Sequence, residues 1–236
     1  MSIELFWDKV YAKNPTRTPN ENDPTLLEAM RHFGDVSGAK LLDLGCGNGS
    51  SSLFFAKRGA NVVSIDISEV TINGLSDFCA ENQISNITPT KCSAMEIDNL
   101  GSFDFVFGNM ILHYLEPFET FFEVLRNSIF PGGKAFFHEN NAFSDLLIWF
   151  RDNVAGKYGV PKHGDDDEFP LTPAERELLK RKFSVDVVYP ELAFFGLASV
   201  YLLKGRLHRY TKGLDDYLFQ FPSLRKYSYR QYLLLS

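Results

Sequence analysis

The stretch Lys40-Leu41-Leu42-Asp43-Leu44-Gly45-Cys46-Gly47-Asn48-Gly49 reads as a buried strand ending in a glycine turn, with a carboxylate two residues before the first glycine. Ser50-Ser51-Ser52 and then Leu53-Phe54-Phe55-Ala56-Lys57 follow it and read as the opening of a helix. Glycines at such a junction let the backbone bend sharply and approach a ligand closely. The dinucleotide fingerprint Gly-x-Gly-x-x-Gly needs its third glycine at position 50, where this chain has Ser50. Asp43 would repel a pyrophosphate and suits a ligand with an ammonium group. The alternative is an ordinary strand, turn and helix whose glycines serve packing alone.

A chain of 236 residues fits one α/β domain with additions, large enough to bury about 70% of its unfolded surface. Apolar content of 44% with 14% aromatic is globular in character. The 22 phenylalanines suggest an aromatic-rich core or substrate pocket. A net charge of −6 without a polybasic run argues against a grip on a phosphate backbone, so no nucleic-acid partner is expected. Cys46, Cys79 and Cys92 lack C-x-x-C spacing and read as buried thiols in a reducing compartment, with no metal site or disulfide framework. The N-terminus has no secretory pattern. The apolar run Leu192–Leu203 is shorter than the roughly 20 residues that span a bilayer. The expectation is a cytoplasmic protein without membrane insertion; the sequence leaves its oligomeric state open.

Asp23-Pro24 reads as a helix start, an N-cap carboxylate with proline in the first turn, leading through Leu26, Leu27 and Met30 towards Phe33. Upstream, Phe6, Trp7, Val10 and Tyr11 form an apolar stripe at helical spacing, either an edge helix or a lid. From Leu41 onward strands and helices alternate. Asn61–Asp66 is a β-rich run, Ser68 caps a helix carrying Val70, Leu75, Phe78 and Cys79, and Ile87–Lys91 is a third strand. Phe103–Phe107 is a fourth. Phe118, Phe121, Phe122, Leu125 and Ile129 mark a helix, followed by a turn at Pro131-Gly132-Gly133 and a fifth strand over Lys134–His138. The regularity is lost between Asn140 and Lys182, read as an insertion with Trp149 and Phe150 ahead of a loop, and with a capped helix start at Thr172-Pro173. Val185–Tyr189 and Tyr229–Leu235 are candidate sixth and seventh strands. Repeated βα units of this kind predict a doubly wound, mostly parallel sheet with helices on both faces.

Asp66, ending the second strand about 20 residues past the glycine turn, suits ribose hydroxyls. Together with Asp43-Leu44-Gly45-Cys46-Gly47-Asn48-Gly49, the run Phe103–Leu115 and the Pro131-Gly132-Gly133 turn, it resembles the class I S-adenosylmethionine-dependent methyltransferases of small-molecule type. The resemblance runs from Leu41 to about His138. It implies a Rossmann-like seven-stranded sheet and S-adenosylmethionine as cofactor, with S-adenosylhomocysteine as product. It also implies cofactor contacts from Asp43, Gly45, Cys46 and Gly47, ribose contacts from Asp66 with neighbouring Ile67, and methionyl contacts near Asn109. Relatives often carry an aspartate where this chain has Ser93; Ser93, or the backbone at Ala94 and Met95, is expected to meet the adenine. Tyr11 is expected to cover the cofactor from the N-terminal helix. The chain then divides into a helical lid (1–36), a cofactor-binding core (37–140), an insertion forming part of the substrate pocket (141–182) and C-terminal strands and helix completing the domain (183–236).

Methyl transfer from an activated donor chiefly needs alignment, with a base where the acceptor is a hydroxyl or a protonated amine. The resemblance places His113 near the methyl group, as a base, a positioning residue or a packing histidine. His138 and Glu139 close the fifth strand, where ligands bind in open α/β sheets; Glu139 would orient a histidine, hold a hydroxyl or stand as a solvated loop acid. His163 and the acidic run Asp165–Glu168 read as a solvated turn, or as a site for a cation. Asp104 reads as structural. The expected function is methylation of a small-molecule acceptor at a hydroxyl or carboxyl oxygen, of sugar, lipid-precursor or secondary-metabolite type. The rivals are N- or C-methylation or a macromolecular acceptor, a dehydrogenase, and a non-catalytic S-adenosylmethionine-binding module.

Overall fold

The computed structural model describes residues 2–143, 170–203 and 206–236. Two helices, α1 (Ile3–Tyr11) and α2 (Pro24–Phe33), precede an alternation of β1 (Lys40–Leu44), α3 (Ser50–Ala56), β2 (Asn61–Asp66), α4 (Glu69–Glu81) and β3 (Ile87–Lys91). A 3-10 turn (Ala94–Leu100) leads to β4 (Phe103–Asn109), and a second (Leu112–Tyr114) to α5 (Phe118–Asn127) and β5 (Ile129–Asn140). After the undescribed stretch come α6 (Pro173–Leu179), β6 (Val185–Val188), α7 (Phe194–Leu203), α8 (His208–Phe219), α9 (Pro222–Arg225) and β7 (Arg230–Leu235). The expectations placed on Trp149, Phe150, His163 and Asp165–Glu168 lie outside the described residues.

The seven strands form one sheet in the order β3-β2-β1-β4-β5-β7-β6, parallel except for β7, which runs antiparallel to both β5 and β6. Successive side chains of a strand point to opposite faces, so each buried strand feeds two cores. Leu42, Leu44, Val106 and Phe137 face one side against Phe121, Phe122 and Leu125 of α5. Leu41, Phe107 and Phe136 face the other against Phe33, Phe54, Phe55 and Leu75 of α2, α3 and α4. Burying each such side chain contributes roughly 1.5–3 kcal/mol. The near-continuous apolar strands are what a sheet covered on both faces requires.

The helix starts follow the capping chemistry. Asp23 Oδ1 accepts from the Thr25 and Leu26 amides, Ser68 Oγ from Thr71, and Thr172 with Glu175 forms a reciprocal box. Of the side chains expected on α4, Leu75 and Cys79 are buried while Val70 faces solvent. Asp104 has the structural role expected of it, accepting the Lys40 amide at 2.9 Å.

Pro131-Gly132-Gly133 corrects the sequence reading. It lies inside β5 as an irregularity: Phe103 pairs with Ile129 but Phe105 pairs with Lys134, so the extra residues bulge out of the ladder. The reason is backbone-driven. Gly132 has φ +84, and a Cβ on Gly133 would sit 2.8 Å from the Asp104 carbonyl oxygen. Gly133→Ala is therefore expected to destabilise the protein by about 1–3 kcal/mol, whereas Gly213→Ala, at an open position inside α8, should stabilise it by up to about 1 kcal/mol. Denaturant melts of the two variants check the contrast.

Candidate active site

The strand order reverses between β1 and β4, and both strands end beside the glycine turn, where open α/β sheets bind ligands. Gly45, Gly47 and Gly49 take φ of +68, +49 and +74, conformations open to glycine. A Cβ on Gly47 would lie 2.7 Å from Tyr11 Oη, and one on Gly45 would lie 2.9 Å from Ile111 Cδ1. The turn is pinned from beneath: Cys46 N donates to the Ile65 carbonyl at 2.8 Å and Gly47 N to Asp66 Oδ2 at 3.1 Å. Asp66 Oδ1 accepts from Ser68 N at 2.9 Å, so one carboxylate ties β2, the glycine turn and the start of α4 together. Burial pushes the Asp66 carboxyl above its ordinary range.

Two adjoining cavities open here. The first, of about 270 Å³, has Gly45, Asp66 and Ile67 on one wall and Ser93, Ala94 and Met95 on another. Ile3, Trp7 and Tyr11 of α1 roof it at a spacing of four residues, one helical face. None of the side chains of α1 is fully buried, and polar contacts seat the helix: Ser68 Oγ donates to Asp8 Oδ1 at 2.6 Å, Glu4 pairs with Lys91 at 2.7 Å, and Trp7 meets Tyr114 edge-on.

The second cavity, of about 450 Å³, runs from Cys46, Gly47 and Asn48 past Ser50 and Ser51 to Thr25, His138 and Arg230. Tyr11, Gly45, Asn109 and Met110 line both cavities and form the partition between them. His138 is 5% exposed, and its Nδ1 lies 2.8 Å from Asn109 Oδ1. Burial, then the charge of Arg230, lower its pKa to about 3, so the imidazole is neutral at physiological pH. With Nδ1–H donating to Asn109, Nε2 carries a lone pair; it is buried and has no hydrogen-bond partner.

Residues 41–133 match the family described as methyltransferase domain. Over this stretch, less than half of the chain, the protein is similar to the class I S-adenosylmethionine-dependent methyltransferases. Among its relatives is a ubiquinone biosynthesis O-methyltransferase of Acinetobacter baylyi, 29% identical over 139 residues, covering 58% of this chain and 57% of that protein. The chain thus spans less than two thirds of that relative's length. Another of the same name, from Cupriavidus pinatubonensis, is 25% identical over 203 residues, covering 84% and 80%. The fold matches a SAM-dependent methyltransferase structure from Aquifex aeolicus at a TM-score of 0.58 and 15% identity, covering 100% and 98% of the two chains. S-adenosylmethionine is the cofactor of this methyltransferase family, and the glycine cradle with an acid across the cavity is a donor set that fits it.

Of the residues expected at the site, Tyr11, Gly45, Asp66, Ile67, Ser93, Ala94, Met95 and Asn109 line the first cavity, and Cys46, Gly47 and His138 the second. Ser93 Oγ also accepts from Met95 N, capping the 3-10 turn. Asp43 lines neither cavity. It is 1% exposed, and its Oδ2 accepts from Ser51 and Ser52 at 2.7 and 2.5 Å, so it braces the turn from below instead of facing an ammonium group. Desolvation raises its pKa to about 6.

Neither His113 nor Glu139 lines a cavity; of the readings open to them, Glu139 orients a histidine and His113 packs against the loop. Glu139 Oε1 accepts from the Ile111 and Leu112 amides at 2.8 and 2.7 Å, and Oε2 lies 2.7 Å from His113 Nδ1. With both side chains buried, the pair holds the loop after β4. That loop includes Met110 at φ +57, a strained conformation for a side chain of this kind. Met110, Arg230, Thr25 and Asn48 were not singled out from the sequence; Arg230 and Thr25 lie far from the motifs and reach the site through chain topology alone.

The lowered pKa of His138 has a stability consequence. Its ordinary value is near 6.5, so below that pH the unfolded chain takes up a proton that the folded one refuses. The contribution is lost as pH falls from about 6.5 towards 3. Relative to His138→Gln, the wild type should lose stability between pH 7 and pH 4.5, as read by paired denaturant melts; the Asp43 contribution is common to both proteins and cancels.

Proposed function

We propose that the chain transfers a methyl group from S-adenosylmethionine, held in the first cavity and reaching the partition, to an oxygen of a small molecule seated in the second. The observation that carries this reading is the partition itself: two cavities meeting at Tyr11, Gly45, Asn109 and Met110, with a neutral histidine beyond it. The relatives named as O-methyltransferases support oxygen as the acceptor atom.

In this reading Asp66 accepts from the ribose hydroxyls, while Ile67, Ser93, Ala94 and Met95 surround the adenine. Gly45, Cys46, Gly47, Tyr11 and Asn109 flank the methionyl end. Asp43 acts through Ser51 and Ser52, and Glu139 through His113 and the loop amides, as positioning residues. Bound there, S-adenosylmethionine supplies a methyl group on a sulfonium sulfur that departs as a neutral thioether. His138 Nε2 accepts the proton of the attacking hydroxyl, and Asn109 keeps Nδ1 protonated so that Nε2 stays bare. A weakly basic imidazole suffices, because the hydroxyl becomes strongly acidic as its oxygen takes on positive charge while forming a third bond, to the methyl carbon. Tyr11, its hydroxyl kept protonated by burial and the nearby Asp66 charge, closes the partition without competing as a nucleophile. Free cysteines, two of them buried, fit a reducing, cytoplasmic setting. Among the described residues no helix is long and apolar enough to cross a membrane.

Isothermal titration tests the cofactor half of the reading. Wild-type protein should bind S-adenosylhomocysteine, and Asp66→Asn should weaken that binding about 10–100-fold, the loss of charge-assisted hydrogen bonds. Folded wild-type protein that binds neither S-adenosylmethionine nor its product would sink it. For the chemical half, His138→Gln should lower kcat by about 100-fold or more while leaving the affinity for S-adenosylhomocysteine unchanged.

A further inference from the structure

The second cavity carries a cation on its wall that the methyl donor's ribose and adenine do not require. Arg230 is the first residue of β7, and no ion pair engages it among the described residues. In the antiparallel ladder, Asn140 pairs with Arg230 and His138 with Tyr232. Paired residues and their neighbours two positions along share a face, so His138 and Arg230 are diagonal neighbours on the sheet, with backbones roughly 7–8 Å apart. The carboxylate on this wall, Asp23, spends Oδ1 on the Thr25 and Leu26 amides. Tyr232, which pairs with His138 across the ladder, meets Thr25 Oγ1 at 3.2 Å and so ties α2 to this sheet edge.

The wall therefore carries two groups of complementary use at a set spacing. One is a buried nitrogen lone pair that lacks a donor, and the other the planar guanidinium of an exposed arginine at the rim, which no carboxylate engages among the described residues. A guanidinium fork matches a carboxylate in two parallel hydrogen bonds, which a neutral ester or amide cannot form. A volume of about 450 Å³ accommodates a single-ring compound.

Resting on the methyl-transfer reading, we propose that the acceptor is a hydroxy acid, its hydroxyl directed to His138 and its anionic group paired with Arg230. Arg230 is then the residue that selects anionic acceptors. It lies on the edge of the cavity away from Asp66 and the adenine wall, so it acts on the acceptor and not on the donor.

Protocatechuate and its methyl ester probe this directly, since they share ring and hydroxyls and differ in charge. Titrated into protein saturated with S-adenosylhomocysteine, the acid should bind about tenfold more tightly than the ester. Arg230→Gln should abolish that preference, Arg230→Lys should keep part of it, and both should bind S-adenosylhomocysteine as the wild type does. Equal binding of acid and ester, a preference that survives Arg230→Gln, or binding of neither probe overturns the proposal and leaves the methyl-transfer reading standing. Weakened S-adenosylhomocysteine binding by Arg230→Gln also overturns it, by assigning the cation to the cofactor's own carboxylate. A wild-type protein that binds no S-adenosylhomocysteine fails at the earlier reading instead.

Discussion

Buried carboxylates that accept backbone amides hold the site together. Strand ends at a switch point leave amide groups without a ladder partner, and an unpaired buried amide costs a large fraction of a domain's stability. Asp66 meets this need on one side by accepting from Gly47 and Ser68, and Glu139 on the other by accepting from Ile111 and Leu112. Asp43 adds a third anchor through the hydroxyls of Ser51 and Ser52. Each acid is buried, so each fixes a loop at the cost of its own desolvation, seen in the raised pKa of Asp43 and Asp66. With these loops fixed, the partition between the two cavities has a defined shape.

The two sides of the partition differ in chemistry because they are built differently. The cofactor side combines the ends of β1 and β2 with a helix, α1, that is seated by a few polar contacts and buries none of its side chains fully. The other side is floored by the β5–β7 ladder, where strand register sets the spacing of His138 and Arg230. A helix that buries no side chain fully opens at less cost than a paired strand ladder, so the two sides of the partition differ in rigidity.

The strongest signals in the chain were local ones. Strand β1, the glycine turn, the caps at Asp23, Ser68 and Thr172, and the helical spacing of Phe6, Trp7, Val10 and Tyr11 each arise from residues within about two helical turns of one another, and the structure has these elements where the pattern indicates. What the sequence misread or left open has a common physical source. Pro131-Gly132-Gly133 has turn composition, yet the pairing of Phe105 with Lys134 absorbs it as a bulge. Asp43, His113 and Glu139 are polar residues beside a ligand site, and polarity alone does not tell whether a side chain faces a ligand or braces a loop. Only the partners found in three dimensions separate the two: two hydroxyls for Asp43, and two amides and an imidazole for Glu139.

By itself, the sequence determined the class of fold and the chemistry of the donor site, because both rest on short-range backbone geometry: glycines that turn, an acid one strand later, and apolar strands at regular intervals. The tertiary structure decided which side chains line the second cavity. Arg230 and His138 are 92 positions apart in the chain, and the antiparallel insertion of β7 beside β5 makes them neighbours. No local pattern encodes that juxtaposition, since it depends on which strand edge the returning chain pairs with and in which register.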